Sequence, residues 1–172
     1  GGDHAPAATV QGAVEAVRQH GLSVLLVGRE AVLRKELARY GSPVRGLQIV
    51  DAPDVVAMDD PPIAPARNKR ESSMAVAARL VRDGQASAFV TAGNSGAAMV
   101  AAKLIMGTID GVERPALATP TPGLERQTLL LDVGANVDCK PHHLMRFAVM
   151  GHFYSQAVLG VAWAVIQPLA TM

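Results

Sequence analysis

Aromatic side chains are nearly absent: one Trp, two Tyr and three Phe make up 3% of the 172 residues. The core must therefore be built from Ala, Val, Leu, Ile and Met, and a stacking platform for single-stranded nucleic acid is excluded. A single cysteine, Cys139, rules out an internal disulfide and fits a reducing cytoplasm. Net charge is only +1, which leaves no electrostatic footprint for a polyanion. The apolar run near the C-terminus, 157–165, falls far short of the roughly 20 residues a spanning helix needs.

Absent motifs narrow the chemistry further. No G-x-G-x-x-G follows a strand, which argues against a dinucleotide-binding dehydrogenase. There is no G-x-x-x-x-G-K-[ST] and no G-x-S-x-G, so neither a P-loop ATPase nor the usual hydrolase elbow is encoded. There is also no internal repeat and no low-complexity linker. The chain opens on Gly1-Gly2-Asp3 without an initiator Met, as a fragment would.

What is present reads as a globular α/β protein: 49% hydrophobic and 18% charged. One domain of this length buries roughly 70% of its unfolded surface. Val10, Ala13, Val14 and Val17 follow the i, i+3, i+4, i+7 rule, which predicts a helix over 7–19 that Gly21 ends. The continuous apolar run 23–28 predicts a strand of a parallel sheet. Further helices are expected over 30–40, 71–83, 95–106 and 142–158, and strands over 47–50, 86–90, 116–119 and 128–133. Residues 59–68, with three prolines, read as a loop. The alternation implies βαβ units: an α/β fold with a mostly parallel sheet.

Four loops concentrate the residue types that bind anions. In Thr91 to Ala97, two glycines, an amide and two hydroxyls join an apolar run to a helix start. Such a turn offers backbone N–H groups and a helix dipole to an anion; the alternative is a plain cap by Asn94 or Ser95. In Gly1 to Pro6, paired glycines permit positive φ or close ligand approach, while Asp3 reads as a helix cap or a site residue and His4 as a surface residue or a proton donor. In Arg67 to Met74, cations crowd a helix start against its dipole, either as solvated surface or around an anion bridging Lys69 and Ser72. In Leu131 to Leu144, a strand runs into Asp132, Gly134 and Asn136, then Asp138, Cys139 and Lys140, before a helix opens at Pro141. Cys139 reads as a small buried residue rather than a nucleophile. His142 and His143 point about 100° apart on a helix, a poor metal pair, and no Cys or carboxylate at ligand spacing completes a zinc site.

In this order and spacing the loops resemble the bacterial phosphate acyltransferase family PlsX, the phosphate:acyl-carrier-protein acyltransferases. The resemblance runs through Gly1 to Pro6, Lys69 to Met74, Thr91 to Ala97, Leu131 to Asn136 and Cys139 to Leu144. It closes at Phe147-Ala148 and Met150-Gly151, covering residues 1 to about 160 as one domain. The family's short first strand and its lead-in to the Gly-Gly-Asp loop are missing. Residues 161–172 depart from the family, as a frameshift or cloning artefact would, and about half of the usual chain has no counterpart here.

The resemblance implies a three-layer, isocitrate/isopropylmalate dehydrogenase-like fold with helices on both faces of the sheet. It implies transfer of a long-chain acyl group from acyl carrier protein to inorganic phosphate, with no metal and no other cofactor. Asp3, His4, Lys69 and Asn136 fall at catalytic positions, and Gly2, Ser72, Asn94, Ser95, Gly96 and Asp132 at substrate or phosphate positions. The Gly1 to His4 and Asp132 to Asn136 loops would line one cleft. A homodimer in the cytoplasm is implied, with peripheral inner-membrane contact through segments outside this chain. A non-catalytic module binding a phosphorylated small molecule and an inactive truncated chain are the competing readings.

Overall fold

Val10, Val14 and Val17 are the buried residues of the first helix, α1 (Ala7–His20), as their spacing predicts. Gly21 ends it in the left-handed region (φ 65°), its N–H donating to the Ala16 and Val17 carbonyls. A computed structural model describes residues 2–41, 43–123, 127–136 and 138–161. Gly1, Val137, the end of the apolar run 157–165 and all but the first residue of the 161–172 tail lie outside the described residues. The chain divides into two compact units, Gly1–Gly107 and Thr108–Met172.

In the first unit, α1 leads into β1 (Val24–Gly28), α2 (Glu30–Leu37) with a 3-10 turn (Ala38–Tyr40), and β2 (Leu47–Asp51). β1 and β2 pair in parallel from Val24 opposite Leu47 to Gly28 opposite Asp51, closing one βαβ unit. Val10, Val14, Leu26 and Leu33 form the core beneath it. Two connections add precision: the Glu30 N–H donates to Asp51 Oδ1 at 2.8 Å and Arg29 Nε to the Pro53 carbonyl at 3.1 Å.

The unit continues through α3 (Ala64–Arg67), α4 (Ser73–Arg82) and α5 (Ser95–Ala101), which runs on as a π turn (Ala102–Met106). A second core of Val56, Met74, Ala78, Ala97 and Ala101 packs these helices. Two expectations are corrected here. The proline segment 59–68 holds the short α3, because Pro65 sits at the start of that helix where a missing N–H costs nothing. The expected strand 86–90 is not formed. The Gln85 and Ala86 N–H groups are spent on the Leu80 carbonyl behind α4, no ladder partner meets the segment among the described residues, and Val90 is 97% exposed.

In the second unit, β3 (Ala118–Thr121) and β4 (Thr128–Leu131) pair antiparallel, with Ala118 opposite Leu131. This departs from the mostly parallel expectation, for a connection of six residues is too short for a parallel crossover. β3 also starts two residues later than read from the sequence. α6 (Pro141–Ala157) packs on β4, where Gly151 leaves room for Leu129 and Leu131, and Phe147 is buried. What stands among the described residues is an α/β fold with one small parallel and one antiparallel pair. Among the described residues no helix is long and apolar enough to cross a membrane.

Candidate functional site

Gly2 begins the first loop at φ +108°, where a Cβ would sit 2.9 Å from the Ala92 carbonyl oxygen. The N-terminal loop therefore lies directly against the 91–97 loop, although about ninety residues separate them in sequence. The turn is held by the Ala5 N–H on Gly2 O (3.1 Å) and the Ala8 N–H on His4 O (3.0 Å). Asp3 and His4 are exposed, and α1 starts after Pro6 with no side-chain cap, so Asp3 is not the cap. Gly2→Ala combines a disfavoured φ with that clash. A loss of about 1–3 kcal/mol in unfolding free energy, measured by denaturant titration, is expected.

Asn94 is the hub of the 91–97 loop. Its Oδ1 accepts the Ala97 N–H at 2.9 Å as the N-cap of α5. Its Nδ2 donates to the carbonyls of Met58 and Asp60 at 3.1 Å each and of Ala57 at 3.4 Å. Asn94 is thereby buried and fully engaged by the protein. Ser95 follows it, exposed on the first turn of α5. A Cβ on Gly96 would press on Pro62 at 3.3 Å, so the proline segment packs against the loop itself.

Lys69 reaches the same segment from the other side. Its Nζ donates to Asp60 Oδ2 at 2.5 Å and to the Val55 carbonyl at 2.9 Å. Asp60 also accepts the Ala57 N–H at 2.7 Å. The Lys69 hydrogen bond, then that of Ala57, holds the Asp60 carboxyl below its usual range. Ser72 is completely buried as the N-cap of α4, its Oγ accepting the Ala75 N–H at 3.4 Å. The cations ahead of α4 are thus not simply solvated: Lys69 pairs with Asp60, and Arg70 Nε donates to the Ala66 carbonyl at 3.2 Å.

In the second unit, Asp132 holds its own loop. It adopts φ 69°, unusual for a residue with a Cβ. Its two carboxylate oxygens accept the Ala135 and Asn136 N–H groups, each at 3.1 Å. The Asn136 amide donates to the Pro115 carbonyl at 3.0 Å. Cys139 is exposed rather than buried, and its Sγ donates weakly to the Asn136 carbonyl at 3.8 Å. It follows a polar loop instead of sitting on a packed strand, which is why the expectation of burial fails.

Sequence reasoning missed Glu113. This carboxylate lies 3.6 Å from His142 Nε2, 3.7 Å from His143 Nε2 and 2.9 Å from Arg146. Ligand atoms of Glu113, His142 and His143 fall within 4.8 Å of one another. The adjacent histidines converge, contrary to expectation, because the His143 ring turns back to the helix start. There its Nδ1 accepts the Lys140 N–H at 3.1 Å, and the two rings meet edge-on at 4.1 Å. The chemistry is that of an ion-pair cluster. A neutral His143 accepting at Nδ1 carries its proton on Nε2, which faces Glu113 as a donor and not as a ligand, while Arg146 already neutralises the carboxylate.

Burial, with the nearby His142, Arg114 and Lys140 charges, lowers the His143 pKa; Glu113 only partly opposes this. A histidine with a depressed folded pKa binds fewer protons folded than unfolded, so acid favours unfolding. Its contribution is complete above about pH 6.5 and is lost as pH falls through the folded value. Thermal melts at pH 8 and pH 5 are expected to show an acid loss that His143→Ala reduces.

In the first unit Lys69, Asn94 and Gly96 therefore meet at the 55–62 segment, Gly2 lies against Ala92 of the glycine loop, Ser95 opens α5, and Ser72 caps α4. Asp132 and Asn136 belong to the second unit, where they shape one turn. This is an α/β protein with a glycine loop at a helix start, braced by a buried amide and a lysine–aspartate pair. The chain belongs to the family described as fatty acid synthesis protein, which it matches over residues 1–167. Its relatives include proteins named phosphate acyltransferase from three bacteria. That of Herpetosiphon aurantiacus is 49% identical over 170 residues, 99% of this chain and 46% of the relative. That of Elusimicrobium minutum is 51% identical over 162 residues, 94% of this chain and 48% of the relative. That of an Anaeromyxobacter strain is 52% identical over 163 residues, 94% of this chain and 45% of the relative. The chain spans about half the length of the curated relatives it matches.

Proposed function

We propose that the protein transfers a long-chain fatty acyl group from acyl carrier protein to inorganic phosphate, giving acyl phosphate for phospholipid synthesis. The observation that carries this reading is the convergence in the first unit. Gly2 touches Ala92, while Asn94 and Lys69 both bind the 55–60 segment. These are the loops through which the chain resembles the transferases, and the relatives' names agree.

Phosphate needs no activated serine or cysteine, being a nucleophile at neutral pH. One of its oxygens attacks the thioester carbonyl carbon, and the carbonyl oxygen becomes an oxyanion. Collapse of that adduct breaks the C–S bond, and the carrier's thiolate takes up a proton. The protein has to hold the dianion against the thioester and stabilise the oxyanion. Lys69 supplies charge, and Ser95 with the Gly96 backbone supplies donors at the start of α5. Asn94 and Ser72 keep the loops in place, since their side chains are already engaged. Gly2 allows the close approach of the N-terminal loop, and His4 donates the proton to the leaving thiol beside Asp3. In the second unit Asp132 fixes the turn that carries Asn136, whose amide donates to the Pro115 carbonyl.

A three-layer isocitrate/isopropylmalate dehydrogenase-like fold, a homodimer, and a cytoplasmic location with peripheral inner-membrane contact complete the proposal. Incubation with long-chain acyl carrier protein, phosphate and hydroxylamine is expected to yield acyl hydroxamate in a phosphate-dependent manner. No phosphate-dependent product from the folded, intact protein would overturn the reading. Cys139 takes no part, because an acyl-cysteine would only exchange one thioester for another. Cys139→Ala is expected to retain most activity, and an acyl group trapped on Cys139 would overturn direct attack.

A further inference from the structure

We propose that Asp60 is a positioning residue for phosphate, acting through Lys69; the inference rests on the transfer reaction above. None of the motifs that mark the site contains Asp60, yet the site's contacts meet there. Its carboxylate takes the Lys69 ammonium at 2.5 Å and the Ala57 N–H at 2.7 Å, while its backbone carbonyl takes the Asn94 amide at 3.1 Å. One residue thus ties the lysine loop to the glycine loop.

The donor count at Lys69 gives the tie a consequence. An ammonium has three N–H donors. Asp60 and the Val55 carbonyl take two, and the third has no protein partner among the described residues. With two donors fixed, the head group is pinned and its third N–H is offered in one direction. Lys69 is only 31% exposed and Asp60 21%, so the pair is sheltered more than a surface ion pair. A free lysine would have to be ordered by the phosphate itself, at a cost in affinity. Asp60 pays that ordering in advance. Its negative charge opposes phosphate, but Lys69 neutralises it and the carboxylate spends its other contact on Ala57.

The test is a double-mutant cycle in the intact protein, with phosphate and acyl-carrier-protein dependence of hydroxamate formation measured separately. Asp60→Ala is expected to raise the phosphate KM about tenfold and leave the acyl-carrier-protein KM within about twofold. In a Lys69→Ala background the same change should raise the phosphate KM no further. Asp60→Glu, which keeps the charge, should recover part of the loss. Asp60→Asn serves the same cycle should the alanine variant fail to fold by circular dichroism. An unchanged phosphate KM, an equal rise for both substrates, or an additive effect without Lys69 would each overturn the role of Asp60 while leaving the reaction standing. Parent protein without phosphate-dependent product would instead remove the reaction itself.

Discussion

Asn94→Ala is expected to lower the unfolding free energy by about 2–4 kcal/mol, the largest stability effect anticipated in the first unit. The change removes the N-cap of α5, worth about 0.5–2 kcal/mol alone. It also withdraws the donor from the Ala57, Met58 and Asp60 carbonyls, in a place where the side chain is buried and water does not readily replace it. Asn94→Asp is the sharper experiment. Aspartate caps helices as well as asparagine, so a residue acting only as a cap would tolerate it. Here the second carboxylate oxygen would face carbonyl oxygens that now accept from Nδ2, and repulsion replaces attraction. Denaturant titration should find Asp at least as damaging as Ala. A near-neutral Asp variant would reduce Asn94 to a cap.

The same residue marks where sequence reading reached its limit. Asn94 is legible as a cap because capping depends on neighbours three positions away. Its hold on residues 57–60 is not, because nothing local encodes a contact across more than thirty positions. Glu113 escaped notice for the same reason: its partners lie about thirty residues further on. Helices fared well, since Val10, Val14 and Val17 carry a period that burial alone requires. Strands fared less well. The run 86–90 has the apolar content of a strand, but a strand needs a ladder partner, and that is a property of the fold and not of the segment. The antiparallel pairing of β3 with β4 was available from the short connection, and the βαβ rhythm of the first unit masked it. Family membership was the most legible property of all, because the motifs keep their order and spacing even where individual side chains turn out to brace loops.

Lys69→Ala is expected to raise the phosphate KM about ten- to a hundredfold in the intact protein, the worth of one charge-assisted bond to a dianion. The acyl-carrier-protein KM should move little. Two features separate this from a general loss of structure. The Lys69–Asp60 pair is sheltered but still partly open to solvent, so its loss should lower stability only modestly, and circular dichroism with a thermal melt checks that the variant folds. Asn94 still fixes the glycine loop through its own amide, which does not pass through Lys69. Lys69→Arg keeps the charge but replaces a compact ammonium with a planar fork, which cannot reproduce bonds to both Asp60 and Val55 and aim a third donor at the same point. It should therefore bind phosphate more weakly than lysine and more tightly than alanine. A KM that rises with rising ionic strength in the parent, and much less so in Lys69→Ala, would tie the effect to charge. If Lys69→Ala leaves the phosphate KM unchanged while the protein stays folded and active, the ammonium serves only to brace the 55–60 segment, and phosphate takes its charge from elsewhere in the intact protein.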